Sequence, residues 1–98
     1  AYIDQNYKDA ICLEDIARAT HTNPYYLAHL FKEEVGLPPM KYVALRRMDE
    51  AQNLLINTDM SITQIAAQVG YNNSNYFQSV FKRAMGITPR EYRVRWVR

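Results

Sequence analysis

The chain carries one pattern twice, and this repetition constrains its fold more than any other feature. Leu13, Ile16 and Ala17 recur as Ile62, Ile65 and Ala66 at an offset of 49 residues. Tyr26, Leu27, Phe31, Lys32, Gly36, Pro39 and Tyr42 recur as Tyr76, Phe77, Phe81, Lys82, Gly86, Pro89 and Tyr92 at an offset of 50. Self-similarity at a fixed spacing marks a supersecondary unit used more than once. The single added residue falls between the two blocks. A turn absorbs such an insertion, whereas within a helix it would rotate every later side chain by about 100°. Each copy therefore reads as a helix, a short turn and a second helix.

Hydrophobic periodicity supports that division. In the first copy Leu13, Ile16, Ala17 and Thr20 form one inward stripe, and Leu27, Leu30, Phe31 and Val35 form another. The equivalents in the second copy are Ile62, Ile65, Ala66 and Val69, then Phe77, Val80, Phe81 and Ala84. Ser61 with Gln64 three residues on makes a capping box, while Cys12 stands at the corresponding place in the first copy and should cap poorly, leaving that helix more prone to fray. Gly36 and Gly86 follow the second helices as C-caps, and Pro39 and Pro89 are placed to begin the next ones. Between the copies, Met40, Val43, Ala44, Met48, Ala51, Leu54 and Leu55 line one side of a long amphipathic helix without internal Gly or Pro. Such a rod is about 27 Å long, close to one turn of B-DNA at about 34 Å. Tyr2, Ile3 and Tyr7 suggest a short packing helix before the first copy. The expectation is an all-α, homeodomain-like chain of seven helices within one 1–98 domain. It comprises a first helix-turn-helix (11–38), a linker helix (39–57), a second helix-turn-helix (61–87) and a C-terminal helix (88–98).

Composition narrows the functional classes. Ninety-eight residues, 48% apolar and 22% charged, suffice for one small domain with a modest core. The longest unbroken apolar runs, such as 25–28 and 42–45, are four residues, against the roughly 20 needed to cross a bilayer, so no membrane span or signal peptide is expected. Cys12 is the single cysteine and makes no zinc spacing with His21 and His29, which points to an intracellular, metal-free and cofactor-free chain. No nucleophile, base and orienting group stand at a motif spacing, and no Gly-rich phosphate loop is present, so an enzyme is not expected. Charge is uneven: residues 1–60 hold six Lys/Arg against nine Asp/Glu, whereas residues 61–98 hold six Lys/Arg against Glu91 alone. A basic segment of this kind attracts polyanions, though a solvated helix face gives the same count.

The outward faces of the second helices carry the chemistry. With Leu27 and Phe31 inward, Tyr25, Ala28, His29 and Lys32 lie opposite. With Phe77 and Phe81 inward, Asn75, Gln78, Ser79 and Lys82 do so, with Ser74 at the helix start. Asn and Gln can pair with an adenine edge, Ser and His can reach bases or phosphates, and Ala can touch a thymine methyl. Lys32 and Lys82 suit phosphates. Ser74, Asn75, Ser79 and the neighbouring Asn72 and Asn73 are weak helix formers, which argues against a face chosen only for solubility. Tyr25 could read DNA or pack, and Tyr26 and Tyr76 read as packing residues at the boundary. Arg46 and Arg47 could contact phosphates or pair with Asp49 and Glu50. Arg93, Arg95 and Arg98 could support a duplex backbone. A competing reading is a helical protein-interaction module, which calls for exposed apolar anchors on these faces, and only Tyr25 clearly supplies one.

Gly70-Tyr71, Tyr76-Phe77, Phe81-Lys82, Gly86, Pro89 and Tyr92-Arg93 resemble the signature of the AraC/XylS family of bacterial transcription regulators. Leu13-Glu14-Asp15-Ile16-Ala17, Pro24-Tyr25-Tyr26-Leu27 and Leu30-Phe31-Lys32 are similar to the family's first helix-turn-helix. The resemblance runs from about Ile11 to Arg93. It implies a cytoplasmic, nucleoid-associated activator that binds adjacent major-groove segments of often bent double-stranded DNA. It also implies a longer protein whose sensor or receiver domain precedes this one; the isolated domain is expected to be monomeric, and RNA polymerase or the sensor domain is the partner that the interaction-module reading would dock on. Family base-contacting positions fall on Tyr25, Ala28 and His29, and on Ser74, Asn75, Gln78 and Ser79. Lys32, Lys82, Arg46 and Arg93 would then meet phosphates. The pattern departs at Cys12, where Ser is common, and at Ala28, where a longer polar side chain often reads a base; the latter implies weaker base readout by the first unit.

Overall fold

In a computed structural model describing residues 2–96, every regular element is a helix: α1 (Tyr2–Asn6), α2 (Leu13–Ala19), α3 (Pro24–Val35), α4 (Pro39–Asn57), α5 (Ile62–Gln68), α6 (Ser74–Met85) and α7 (Pro89–Trp96). The chain divides into two compact units, Ala1–Arg46 and Arg47–Arg98. The long helix α4 serves both, as the last helix of the first unit and the first helix of the second. Among the described residues no helix is long and apolar enough to cross a membrane.

Each unit is built around its own core. In the first, Ile3, Tyr7, Ile16, Ala17, Leu27 and Val43 are buried, with Ile11, Leu13, Phe31 and Tyr42 packed against them. In the second, Met48, Ala51, Leu55, Ile65, Ala66, Val69, Phe77 and Phe81 are buried. The inward stripes hold at their centres and fail at their ends: Thr20, Val35 and Ala84, expected inside, are exposed, and so is Met40 on α4. Val35 and Ala84 lie in the last turns of their helices, and beside Ala84 it is Met85 that packs against the second core.

The duplication extends further than the matching residues suggest. In the first unit the Tyr42 hydroxyl on α4 donates to Asp4 Oδ1 on α1 at 2.9 Å, while its ring meets Phe31 edge-on at 5.6 Å. In the second the Tyr92 hydroxyl on α7 donates to Gln52 Oε1 on α4 at 3.1 Å, and its ring meets Phe81 edge-on at 5.5 Å. Helix α1 therefore stands to the first helix pair as the latter half of α4 stands to the second.

The turns explain the shift in offset. In both copies the turn opens with one left-handed residue, His21 (φ 55°) and Gly70 (φ 109°). Its N–H reaches back to Arg18 O or Ala67 O, and the next N–H reaches Ala17 O or Ala66 O, each at 2.8 Å. The second helix then starts from an Asn N-cap: Asn23 Oδ1 accepts from Tyr25 and Tyr26 N–H, and Asn73 Oδ1 from Tyr76 N–H. Asn72 is the added residue, between Tyr71 and the cap. Asn73 thus has a capping role that accounts for its presence without reference to any ligand.

Candidate nucleic-acid interface

Helix α3 presents its outward ridge from the first unit. Leu27 is buried beneath it, and Tyr25 stands 85% exposed at its start. Ala28 is half-buried, and His29 and Lys32 are exposed. His29 Nε2 lies 3.3 Å from Glu33 Oε1, one turn on along the same face. Pro24 at the first turn and the Asn23 cap fix where this helix begins, and Gly36 (φ 92°) ends it with its N–H on Lys32 O.

Helix α6 presents the equivalent ridge from the second unit above the fully buried Phe77 and Phe81. Asn75, Ser79 and Lys82 are exposed, and Ser74 and Gln78 are half-buried at its edge. Gln78 Nε2 donates to Ser74 Oγ at 3.2 Å, one turn back. That bond steadies the amide and leaves one N–H and the carbonyl oxygen outward, the donor and acceptor that an adenine edge requires. Ser74 Oγ also lies 3.5 Å from Thr63 Oγ1 on α5. The Ser79 hydroxyl instead donates to Tyr76 O at 2.8 Å, so it faces any ligand as an acceptor. All the residues expected on the two ridges are therefore gathered there, helix by helix.

The arginines behave differently. Arg46 Nε lies 3.1 Å from Asp4 Oδ1, and its guanidinium sits 5.0 Å over the Tyr7 ring. Its ionic partner in the fold is thus on α1, rather than the expected Asp49 or Glu50. Arg47 places its guanidinium 5.0 Å over the Tyr71 ring. Arg93 Nε donates to Leu55 O and Nη2 to Thr58 O, capping the carbonyl end of α4 with positive charge. Arg95 is exposed on α7, and Arg98 lies outside the described residues.

Two ridge residues escaped the sequence reading. Tyr26 and Tyr76, expected to pack, are 57% and 59% exposed. The matched spacing could have flagged them, since tyrosine at both equivalent positions beside an N-cap is more than burial needs.

Two carboxylates stabilise the framework under the ridges. Asp15 is held below the usual carboxylate range because it accepts the Cys12 N–H at 2.9 Å, with the Cys12 thiol and Arg18 on the same group at 3.2 Å. Glu91 is held low chiefly by the Thr88 N–H, which donates to it at 2.9 Å. Asp15 gives α2 a cap contact despite the poor cap expected of Cys12.

A family model described as a helix-turn-helix domain matches residues 16–95. The chain is 37% identical over 92 residues to YdiP of Escherichia coli (strain K12), an uncharacterized HTH-type transcriptional regulator, and 38% identical over 92 residues to regulatory protein PocR of Salmonella typhimurium. Each alignment covers 94% of this chain and 30% of the relative, so the chain spans about 30% of the length of these curated relatives. Among solved structures, the C-terminal domain of AraT, a response regulator from Geobacillus stearothermophilus, is similar at a TM-score of 0.96 and 34% identity, covering 99% of this chain and 81% of that one.

Proposed function

The chain belongs to the AraC/XylS family of DNA-binding transcription regulators, and from that premise we propose that it reads double-stranded DNA by laying α3 and α6 in successive major-groove segments of one duplex, without catalysis. The observation that carries this reading is the pair of matched ridges: positions 25, 28, 29 and 32 on α3 and 75, 78, 79 and 82 on α6 face away from buried Leu27 and Phe77. Asn75 and Gln78 supply adenine-type edge contacts, and Ser74 and Ser79 supply short polar ones. Tyr25, Ala28 and His29 form the weaker reading set of α3, with Ala28 limited to a thymine methyl. Lys32 and Lys82 neutralise phosphates. We assign Arg46 and Arg93 to holding helices in place, since both spend their donors or charge inside the fold. In the intact protein the same domain would be joined to a sensor or receiver domain and would activate transcription through contact with RNA polymerase.

The test is a salt titration of duplex binding. Lys and Arg release counterions from phosphates, so log K should fall steeply and linearly with log salt, and Lys82→Ala should weaken all sequences alike and reduce the slope by about one. A flat dependence on salt contradicts the proposal.

A further inference from the structure

Of the tyrosines on the α3, α4, α6 and α7 helices, Tyr42 and Tyr92 turn their hydroxyls into the fold, onto Asp4 and Gln52. The hydroxyls of Tyr25, Tyr26 and Tyr76 have no partner among the described residues, and more than half of each residue is exposed; of these only Tyr26 and Tyr76 are equivalent in the two copies, Tyr25 corresponding to Asn75 across the repeat. Both stand three residues past the Asn N-cap of a recognition helix, about 100° around the helix from the inward Leu27 or Phe77 and so on the flank of the ridge rather than its crest. A phenol on a surface helix can expose its ring at little cost, but the same exposure and the same unspent donor in both copies is a feature of the repeat, not of one site.

Tyr76 is also held in place. Its ring lies 5.9 Å from that of Tyr71, which packs on Phe77 at 5.7 Å and carries the Arg47 guanidinium 5.0 Å above it. Tyr71 holds the backbone position that Thr22 holds in the first copy, each N–H bonding the matching alanine carbonyl at 2.8 Å, so only the second copy has an aromatic ring there. The stack fixes the direction of the Tyr76 ring and so of its hydroxyl.

Resting on the DNA-binding reading above, we infer that Tyr26 and Tyr76 are paired backbone-positioning residues, each donating its hydroxyl to a phosphate oxygen at the edge of the groove that its helix enters. Hydroxyl donors of this kind set register on a duplex without reading sequence. The side chain is neutral, so the contact releases no counterion and leaves no mark on the salt slope, unlike that of Lys82.

The experiment is Tyr76→Phe, with Tyr26→Phe beside it, in the same chain. Phenylalanine keeps the ring and its packing on Tyr71 and removes only the oxygen. Binding is measured against a selected duplex and a random one across a salt series. The expected result is a loss of roughly two- to tenfold, the worth of one neutral hydrogen bond, equal on both duplexes and with the slope unchanged. Unchanged affinity on both duplexes overturns the inference, and so does a loss confined to the selected duplex, which would make the tyrosine a base reader. Lys82→Ala is run as the reference: if its slope also stays the same, the failure lies in the DNA-binding reading, and the tyrosine roles fall with it.

Discussion

His21 holds a left-handed backbone, φ 55°, at the point in the first turn where the second copy has Gly70. Histidine tolerates this conformation better than most residues, yet an L side chain there still costs about 1–2 kcal/mol, against roughly 0.5–1 kcal/mol for the extra chain entropy of glycine. His21→Gly should therefore stabilise the chain by on the order of 0.5–1 kcal/mol in denaturant unfolding; a destabilised variant would show that the imidazole makes a compensating contact. At this scale the sequence was informative where a residue acts through its own helix and uninformative where it acts across the fold. The residues on the ridge crests followed from a 100° rotation alone, while Tyr26 and Tyr76 on the flanks did not. Arg46 on Asp4, and Arg93 on the carbonyls of Leu55 and Thr58, depend on neighbours some 40 residues away, which no local periodicity encodes.

Each helix that carries a ridge owes its start and stop to residues outside the ridge. Pro24, Asn23 and Gly36 frame α3, and Asn73 and Gly86 frame α6, so ridge side chains are free to vary without loss of the helix. The supporting helices use carboxylate caps instead: Asp15 on the Cys12 N–H for α2, and Glu91 on the Thr88 N–H for α7, answered by the Thr88 hydroxyl accepting the Glu91 N–H at 3.1 Å. Both carboxyls titrate below their ordinary range in the folded chain. Their contribution is therefore present in full above the unfolded pKa of about 4 and is lost as pH falls through the lowered folded values. Asp15→Asn and Glu91→Gln should each reduce stability at neutral pH, and the gap to the parent should close on acidification in urea titrations run from pH 7 to pH 3. A gap that stays constant with pH would show that the caps do not depend on the charge. The helix order was legible from caps and periodicity. The Asp15 cap was not, because Cys12 lacks the hydroxyl that marks a capping box in sequence, while the carboxylate that bonds its N–H stands three residues on.

The whole molecule is one pattern realised with unequal completeness. In the second unit Phe77 and Phe81 are fully buried, whereas in the first Leu27 replaces Phe77 and Phe31 is only half-buried. A partly open surface cleft of about 200 Å³ is lined by Tyr2, Ile3, Phe31, Val35 and Tyr42, and the second unit has one of about 240 Å³ lined by Ser61, Ile62, Arg90, Arg93 and Val94. Val35 and Thr20 stand where the second copy has the longer Met85 and the apolar Val69. The all-helical fold could be read because the repeat survives in sequence, and the family because the signature residues such as Gly70, Phe81 and Pro89 do, while this difference in packing could not, because it arises from volumes that meet only in three dimensions. The polar sets differ in the same direction, with Asn75, Gln78 and Ser79 on α6 against Tyr25, Ala28 and His29 on α3. On the proposed DNA-binding reading, both ridges contact one duplex and α6 contributes the larger share of the discrimination. Selection from a random DNA pool, with the parent chain and with Gln78→Ala, tests it most directly. The expected result is a bipartite motif in the parent, with Gln78→Ala relaxing one position of the stronger part at a cost of roughly 1–3 kcal/mol and leaving the other part intact. Recovery of no enriched sequence, or of the same motif from both proteins, would contradict it.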